Sequence, residues 1–173
     1  MDDIKLTADG RIKLPQPQEI SKREKEDAMG AYFMMFATWG LGLPLPLINL
    51  IAAVIYFALN KKKSRFVAFH SYQSLITQIP VSLLNAGLII WTVHNLLSGN
   101  ITLFNQYFFV YLFFVIFWNI IYTIFSIIGA VKAKHGQFYY ILFFGILSFN
   151  KYYGSKAQTA RQKMFENRPP KGF

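Results

Sequence analysis

The sequence contains no cysteine. That excludes a disulfide framework, a thiolate metal site and a cysteine nucleophile. Charge is also scarce: 15% of the 173 residues are Asp, Glu, Lys or Arg, against about 25% in a typical soluble domain. Negative charge is scarcest of all. The 8 acidic residues lie within Asp2–Asp27 or at Glu166, and no carboxylate occurs between Asp27 and Glu166. Two-carboxylate glycoside chemistry and a carboxylate metal site are therefore excluded from that stretch. So is a proton-coupled transporter that relies on an intramembrane acid. A soluble fold of this size is excluded as well, because it could not cover its surface with so few charges.

What is present is apolar. The chain is 54% hydrophobic and 18% aromatic, with 18 Lys and Arg giving a net charge of +10. The basic residues gather at the ends of apolar runs, and the features of a base-reading module are missing. No nucleic-acid partner is expected; the composition is that of an integral membrane protein. Met1–Asp27 mixes acidic, basic, Pro and Gln residues unlike a signal peptide, so the first apolar run is expected to remain as an anchor.

Residues 1–20 read as a mobile polar arm interrupted by Pro15 and Pro17. Ser21 and Glu24 fit a capping box. Ala28–Asn60 carries no formal charge and is broken by Gly40, Gly42, Pro44 and Pro46, which predicts a helical hairpin over about 21–42 and 46–61. Phe66–Val131 is again uncharged and divides at Ser98-Gly99-Asn100, predicting helices over about 65–97 and 103–134. The first turns of the third helix are expected along the membrane interface, with a kink at Pro80. Residues 137–150 form an apolar stretch too short for a span and read as re-entrant or interfacial. The predicted fold is an all-α, polytopic helical bundle with four transmembrane helices in residues 21–150, followed by a basic cytoplasmic tail over 151–173.

Lys61, Lys62, Lys63, Arg65, Lys132, Lys134, Lys156, Arg161 and Lys163 fall on one side of this arrangement, while the 40–46 and 98–102 turns have no basic residue. The positive-inside rule then puts both termini in the cytoplasm of a bacterial inner membrane. The basic side would contact anionic headgroups or a partner.

Two polar patterns stand out inside the apolar runs. On the third helix, Ser71, Ser74, Gln78, Ser82 and Asn85 form a stripe flanked by His70 and Thr77, and Gln73 adds to the polar set of this helix. Such a stripe must face other helices or water. It supports two readings: interhelical hydrogen bonding, or a polar groove serving a small channel or permease. On the fourth helix, Asn119, Tyr122, Thr123, Ser126, Gly129, Ala130 and Ala133 make a face of small and weakly polar residues expected to meet that stripe. Phe108, Phe109, Phe113, Phe114 and Phe117 are expected against lipid or in the core. His70, His94 and His135 are too widely spaced for a local metal motif. No catalytic, metal or cofactor site is expected.

Phe66-Val67-Ala68-Phe69-His70-Ser71-Tyr72-Gln73 and Ala130-Val131-Lys132-Ala133-Lys134-His135-Gly136, with Pro46–Ile51 before a short helix, give an ordering that resembles a known family. Its members are small four-helix membrane proteins, bacterial relatives of the twenty-kilodalton subunit of the chloroplast inner-envelope protein import translocon. The resemblance covers about residues 24–140. It implies a non-enzymatic membrane subunit working with other membrane proteins in protein translocation, import or membrane assembly.

Overall fold

The computed structural model describes residue 7 and residues 12–37, 46–99 and 105–154. Its regular structure is helical. Helix α1 runs Lys22–Phe33 and tightens into a 3₁₀ turn, Met34–Phe36. Helices α2 (Pro46–Asn60), α3 (Arg65–Leu97), α4 (Gln106–Lys134) and α5 (Leu142–Phe149) follow, and a π-helical turn, Asn150–Gly154, ends the described chain.

Two of these helices are long and apolar enough to cross a membrane. α3 has 33 residues and α4 has 29, or about 50 and 44 Å against a hydrocarbon core of about 30 Å. The four-span expectation is thereby reduced. α1 is a 12-residue helix whose first six positions are all charged, and α2 is apolar but only 15 residues long. The first helix is also shorter than the expected 21–42, since its α-helical part stops at Phe33. Of the Gly/Pro break expected at 40–46, residues 40–45 lie outside the described residues and Pro46 opens α2.

Local chemistry sets the helix ends. At α1 the Ser21 hydroxyl accepts from the Glu24 amide at 3.3 Å while the Glu24 carboxylate accepts from the Ser21 amide at 2.9 Å, a complete capping box. Ser64 caps α3 by accepting from the Val67 amide, and Asn105 caps α4 by accepting from the Tyr107 and Phe108 amides. α4 ends at Gly136, whose φ of +72° an L side chain resists. There the Gly136 amide bonds the Ala133 carbonyl and the Gln137 amide reaches back to the Lys132 carbonyl, a Schellman motif.

α3 and α4 run antiparallel. Trp91 packs on Phe108 at 5.7 Å between ring centroids, while earlier on α3 Asn85 meets the later Asn119 of α4. Toward the basic end, α1 is wedged between them. Tyr32 touches His70 of α3 on one side and Gly129 of α4 on the other. The main hydrophobic core lies here and unites Ile20, Ala28, Tyr32, Phe66, Ala130, Ala133 and Ile141. Phe66 to Ser71 are all buried, so the first turns of α3 are packed inside the bundle.

Three further stretches named from the sequence take the following forms. The stretch read as a mobile arm is packed at its end, where Ile20 enters the core and Pro17 abuts Gly136. Residues 137–150 form an extended segment and then the eight-residue α5, which packs against α3. Pro80 sits inside an α3 that continues unbroken to Leu97.

The outer surface is inverted relative to a soluble protein. Leu59 on α2, Ile90 on α3, and Val110, Phe113 and Phe117 on α4 are each at least 60% exposed. Apolar exposure on this scale marks a surface made for lipid.

Candidate functional site

The polar stripe of α3 does not form one surface. It divides into two parts with different partners.

The first part, His70, Gln73 and Ser74, is closed off by α1 and by the segment leading into α5. The Tyr32 hydroxyl lies 2.9 Å from His70 Nδ1 and accepts from Gln73 Nε2 at 2.9 Å, while Gln73 Oε1 accepts from the Ile141 amide at 3.4 Å. Ser74 donates to the Ala31 carbonyl at 2.8 Å. The rings of Tyr32, Phe66, Phe69 and Phe138 surround the imidazole at 4.5–6.0 Å between centroids. His70 and Gln73 are fully buried. This network ties α3 to α1 and to the segment leading into α5.

The second part, Gln78, Ser82 and Asn85, faces a cavity of about 600 Å³ at mid-length of α3 and α4. Asn49 of α2 and Asn119, Tyr122 and Thr123 of α4 share its wall, and Met35 and Phe36 at the end of α1 bound it. Asn85 and Asn119 exchange two amide–carbonyl hydrogen bonds at 3.1 Å. Each amide also donates to the carbonyl four residues back on its own helix, Val81 at 2.8 Å and Val115 at 2.7 Å. This pair is satisfied internally and pins α3 to α4. Gln78 Oε1 and the Tyr122 hydroxyl are buried without a protein hydrogen bond of good geometry, although the Ser126 hydroxyl lies beside Tyr122.

The small face of α4 divides in the same way. Asn119 meets α3, and Thr123 lines the cavity. Gly129, Ala130 and Ala133 meet α1 instead of the α3 stripe, because Tyr32 and Ala28 fill the space between the two long helices. Ser126 is buried beside Tyr122. Of the five phenylalanines, Phe108 packs on Trp91, and Phe109, Phe113, Phe114 and Phe117 are exposed on the apolar surface.

Lys61, Lys62, Lys63 and Arg65, which precede or open α3, share one end of the bundle with Lys132 and Lys134 at the close of α4. Several are engaged with the protein. Lys63 pairs with Asp27 at 2.7 Å, Lys132 donates to Gln137 Oε1 at 3.0 Å, and Lys61 sits over the Phe57 ring at 5.6 Å. Lys156, Arg161 and Lys163 lie outside the described residues.

Sequence reasoning missed Tyr32, Asn49 and Ile141. Asn49 carried a signal, being an amide set in the apolar run of α2 well before Asn60 ends it. Tyr32 is one of 10 tyrosines, and nothing local marks it as the residue that joins three helices. Ile141 contributes a backbone amide, which no side-chain pattern reveals.

The fold and the cavity together define an all-helical, membrane-associated protein with a mostly apolar pocket between its helices. A family model for the magnetosome magnetite crystal formation protein family matches residues 26–147, and the chain belongs to that family. This overturns the resemblance to the chloroplast import translocon and the protein-transport role it implied. The motifs behind that resemblance are packing features here: His70 and Gln73 hold Tyr32, and Gly136 is a helix cap. No curated protein and no solved structure matches the chain.

Proposed function

We propose that this chain is a multi-pass protein of the magnetosome membrane and takes part in magnetite crystal formation as a non-enzymatic component. The observation that carries the reading is the family match, which begins inside α1 and ends inside α5 and so takes in the whole packed bundle. The absence of any carboxylate from Asp27 to Glu166 leaves the membrane-embedded part few groups with which to hold iron or a crystal face directly. Its contribution therefore runs through the membrane and through neighbouring proteins. The uncovered apolar faces of α2, α3 and α4 are available to lipid and to other membrane subunits, and the basic end is available to anionic headgroups.

In this reading α1 and α2 also cross the bilayer, α2 by local thinning at its short length. Both termini and all basic clusters then lie on the cytoplasmic side. The test is deletion in a magnetite-producing bacterium, with electron microscopy of the crystals and fractionation of a tagged chain. The expected result is an altered crystal size distribution, restored by the full-length chain, and a tagged protein that travels with the magnetosome membranes. An unchanged size distribution, or a tagged protein that leaves those membranes, refutes the proposal.

A further inference from the structure

The cavity between α3 and α4 has a dimension that can be set against the membrane itself. On α3 its wall runs from Gln78 to Leu88, and on α4 from Val115 to Ile124. With a rise of about 1.5 Å per residue, each wall is about 14–15 Å deep. That is half of a hydrocarbon core of about 30 Å, the depth of one leaflet's acyl chains.

Position along the bundle says which leaflet. Lys61, Lys62, Lys63, Lys132 and Lys134 mark the headgroup level at one end of α3 and α4. Counted from Arg65, the α3 wall begins about 20 Å into its helix; counted from Lys134, the α4 wall begins about 15 Å into its own. Both walls therefore start at or beyond the middle of the core and extend away from the basic end.

The mouth is lateral. Ile116, Ile120 and Ile124 line the cavity and are also exposed on the apolar outer face of α4, so the cavity meets the acyl layer directly. Its interior suits a hydrocarbon. None of the lining residues is charged. Asn85 and Asn119 bond to each other, and Gln78 Oε1 and the Tyr122 hydroxyl have almost no accessible surface. A buried water needs about two to four polar partners, and this wall offers few. A volume of about 600 Å³ is also far larger than the voids that close-packed interiors leave empty.

We propose that the cavity is a slot for one acyl chain of a phospholipid from the leaflet opposite the basic end. The ester end of the chain lies toward Leu88, and its methyl end lies toward Val81 and Thr123. The chain supplies dispersion contacts to both long helices beside the Asn85–Asn119 pair. The inference rests on α3 and α4 crossing the bilayer with the basic end at one surface, and stands apart from the role in crystal formation.

The test uses the full-length protein in phosphatidylcholine nanodiscs doped with one of two photoreactive phosphatidylcholines. One carries a diazirine near the ester of its chain, the other at the methyl end. Adducts are mapped by mass spectrometry. The ester-side probe should label Leu88, and the methyl-end probe should label Val81 and Thr123. Phe113 and Phe117, on the outer face of α4, report contact with bulk lipid. Thr123→Trp should fill the inner end of the slot and remove the methyl-end label at Val81, while the labels at Phe113 and Phe117 stay. Outer labels with none at Leu88, Val81 and Thr123 would show α4 in lipid beside a cavity that holds no chain, and would overturn the proposal. So would the reverse order of the two probes, which would bring the chain from the leaflet of the basic end, or equal labelling of both depths by both probes. Loss of the outer labels as well would remove the membrane placement on which the slot depends. The order is read on the unmodified protein, so a variant that fails to fold cannot mask a negative result.

Discussion

Replacing Gly129 by alanine asks how rigid the α1 wedge is. A Cβ at Gly129 would lie 2.8 Å from Tyr32 Cε1 and 2.9 Å from Cζ. The ring cannot retreat easily: Tyr32 is 1% exposed and its hydroxyl is held by both His70 and Gln73. Gly87 supplies the control. A Cβ there would meet only the end of Tyr111, at 2.8 Å from the hydroxyl and 3.7 Å from Cζ. Tyr111 is half-buried and makes a single bond, to the Leu84 carbonyl at 2.9 Å. In both helices alanine gains about 0.8–1 kcal/mol of intrinsic helix preference over glycine. At Gly87 the loss of one hydrogen bond, about 0.6 kcal/mol in a membrane protein, roughly cancels that gain. At Gly129 overpacking costs about 1–3 kcal/mol, and disturbing the two Tyr32 bonds adds about 1.2 kcal/mol. Gly129→Ala should therefore destabilise by about 1–3 kcal/mol net, and Gly87→Ala should stay within about 0.5 kcal/mol of the parent. Unfolding from mild mixed micelles by titrated dodecyl sulfate, followed by circular dichroism, measures both. Equal stability of the two variants, or a Gly129→Ala protein as stable as the parent, would refute the picture of Tyr32 as an immobile wedge.

Three other outcomes are expected. In a double-mutant cycle with Asn85→Leu and Asn119→Leu, the reciprocal pair should show a coupling of about 1.2 kcal/mol, two bonds at about 0.6 each, in the same unfolding assay; zero coupling would mean that the pair does not hold α3 to α4. At the polar start of α1, burial acts to raise the Glu24 carboxyl, but hydrogen bonds from the Ser21 hydroxyl, the Ser21 backbone and the Ser64 hydroxyl outweigh it and hold the carboxyl below its usual range. A depressed folded-state pKa contributes stability above the unfolded value that is lost as the pH falls through the folded one. Glu24→Gln should thus lower the unfolding midpoint at pH 7 and cease to do so in acid below the usual carboxylate range, and a deficit that persists there would contradict this. Single cysteines replacing Lys62 and Lys134 should react with an impermeant thiol reagent from one side of the membrane, and one replacing Ser98 only from the other; Ser98→Cys labelling from the same side as Lys62→Cys would show that α3 does not cross.

Part of this architecture was legible because it follows local rules. The Ser21–Glu24 box, the α3 limits at Arg65 and Leu97, and the end of α4 near Lys134 all follow from neighbours within a turn. The polar residues at the cavity were legible too, since helical periodicity places Gln78, Ser82 and Asn85 on one side of α3. What periodicity cannot tell is which neighbour each residue meets. His70 and Gln78 belong to one stripe, yet a tyrosine from α1 reaches the first and an open pocket faces the second. The same gap hid the division of the α4 face, because Gly129 looks equally suited to α3 and to α1. The resemblance to the import translocon has the same weakness: it rests on short strings around His70 and Gly136 that serve packing and capping here.

The wedge also constrains the order in which the molecule can be made. A membrane protein emerges from its amino end, and α1 is completed long before α4. Until then Tyr32 has His70 and Gln73 to bond but no Gly129 to lean on, and Ala28 has neither Ala130 nor Ala133 beside it. The last part of α4 must find its place against a helix laid down at the outset, closing a loop that encloses α2 and the whole of α3. Closure of this kind comes late and depends on distant residues meeting. A nascent chain halted before Gly129 would hold two long apolar helices with half of their shared core missing, and would be a natural substrate for membrane quality control.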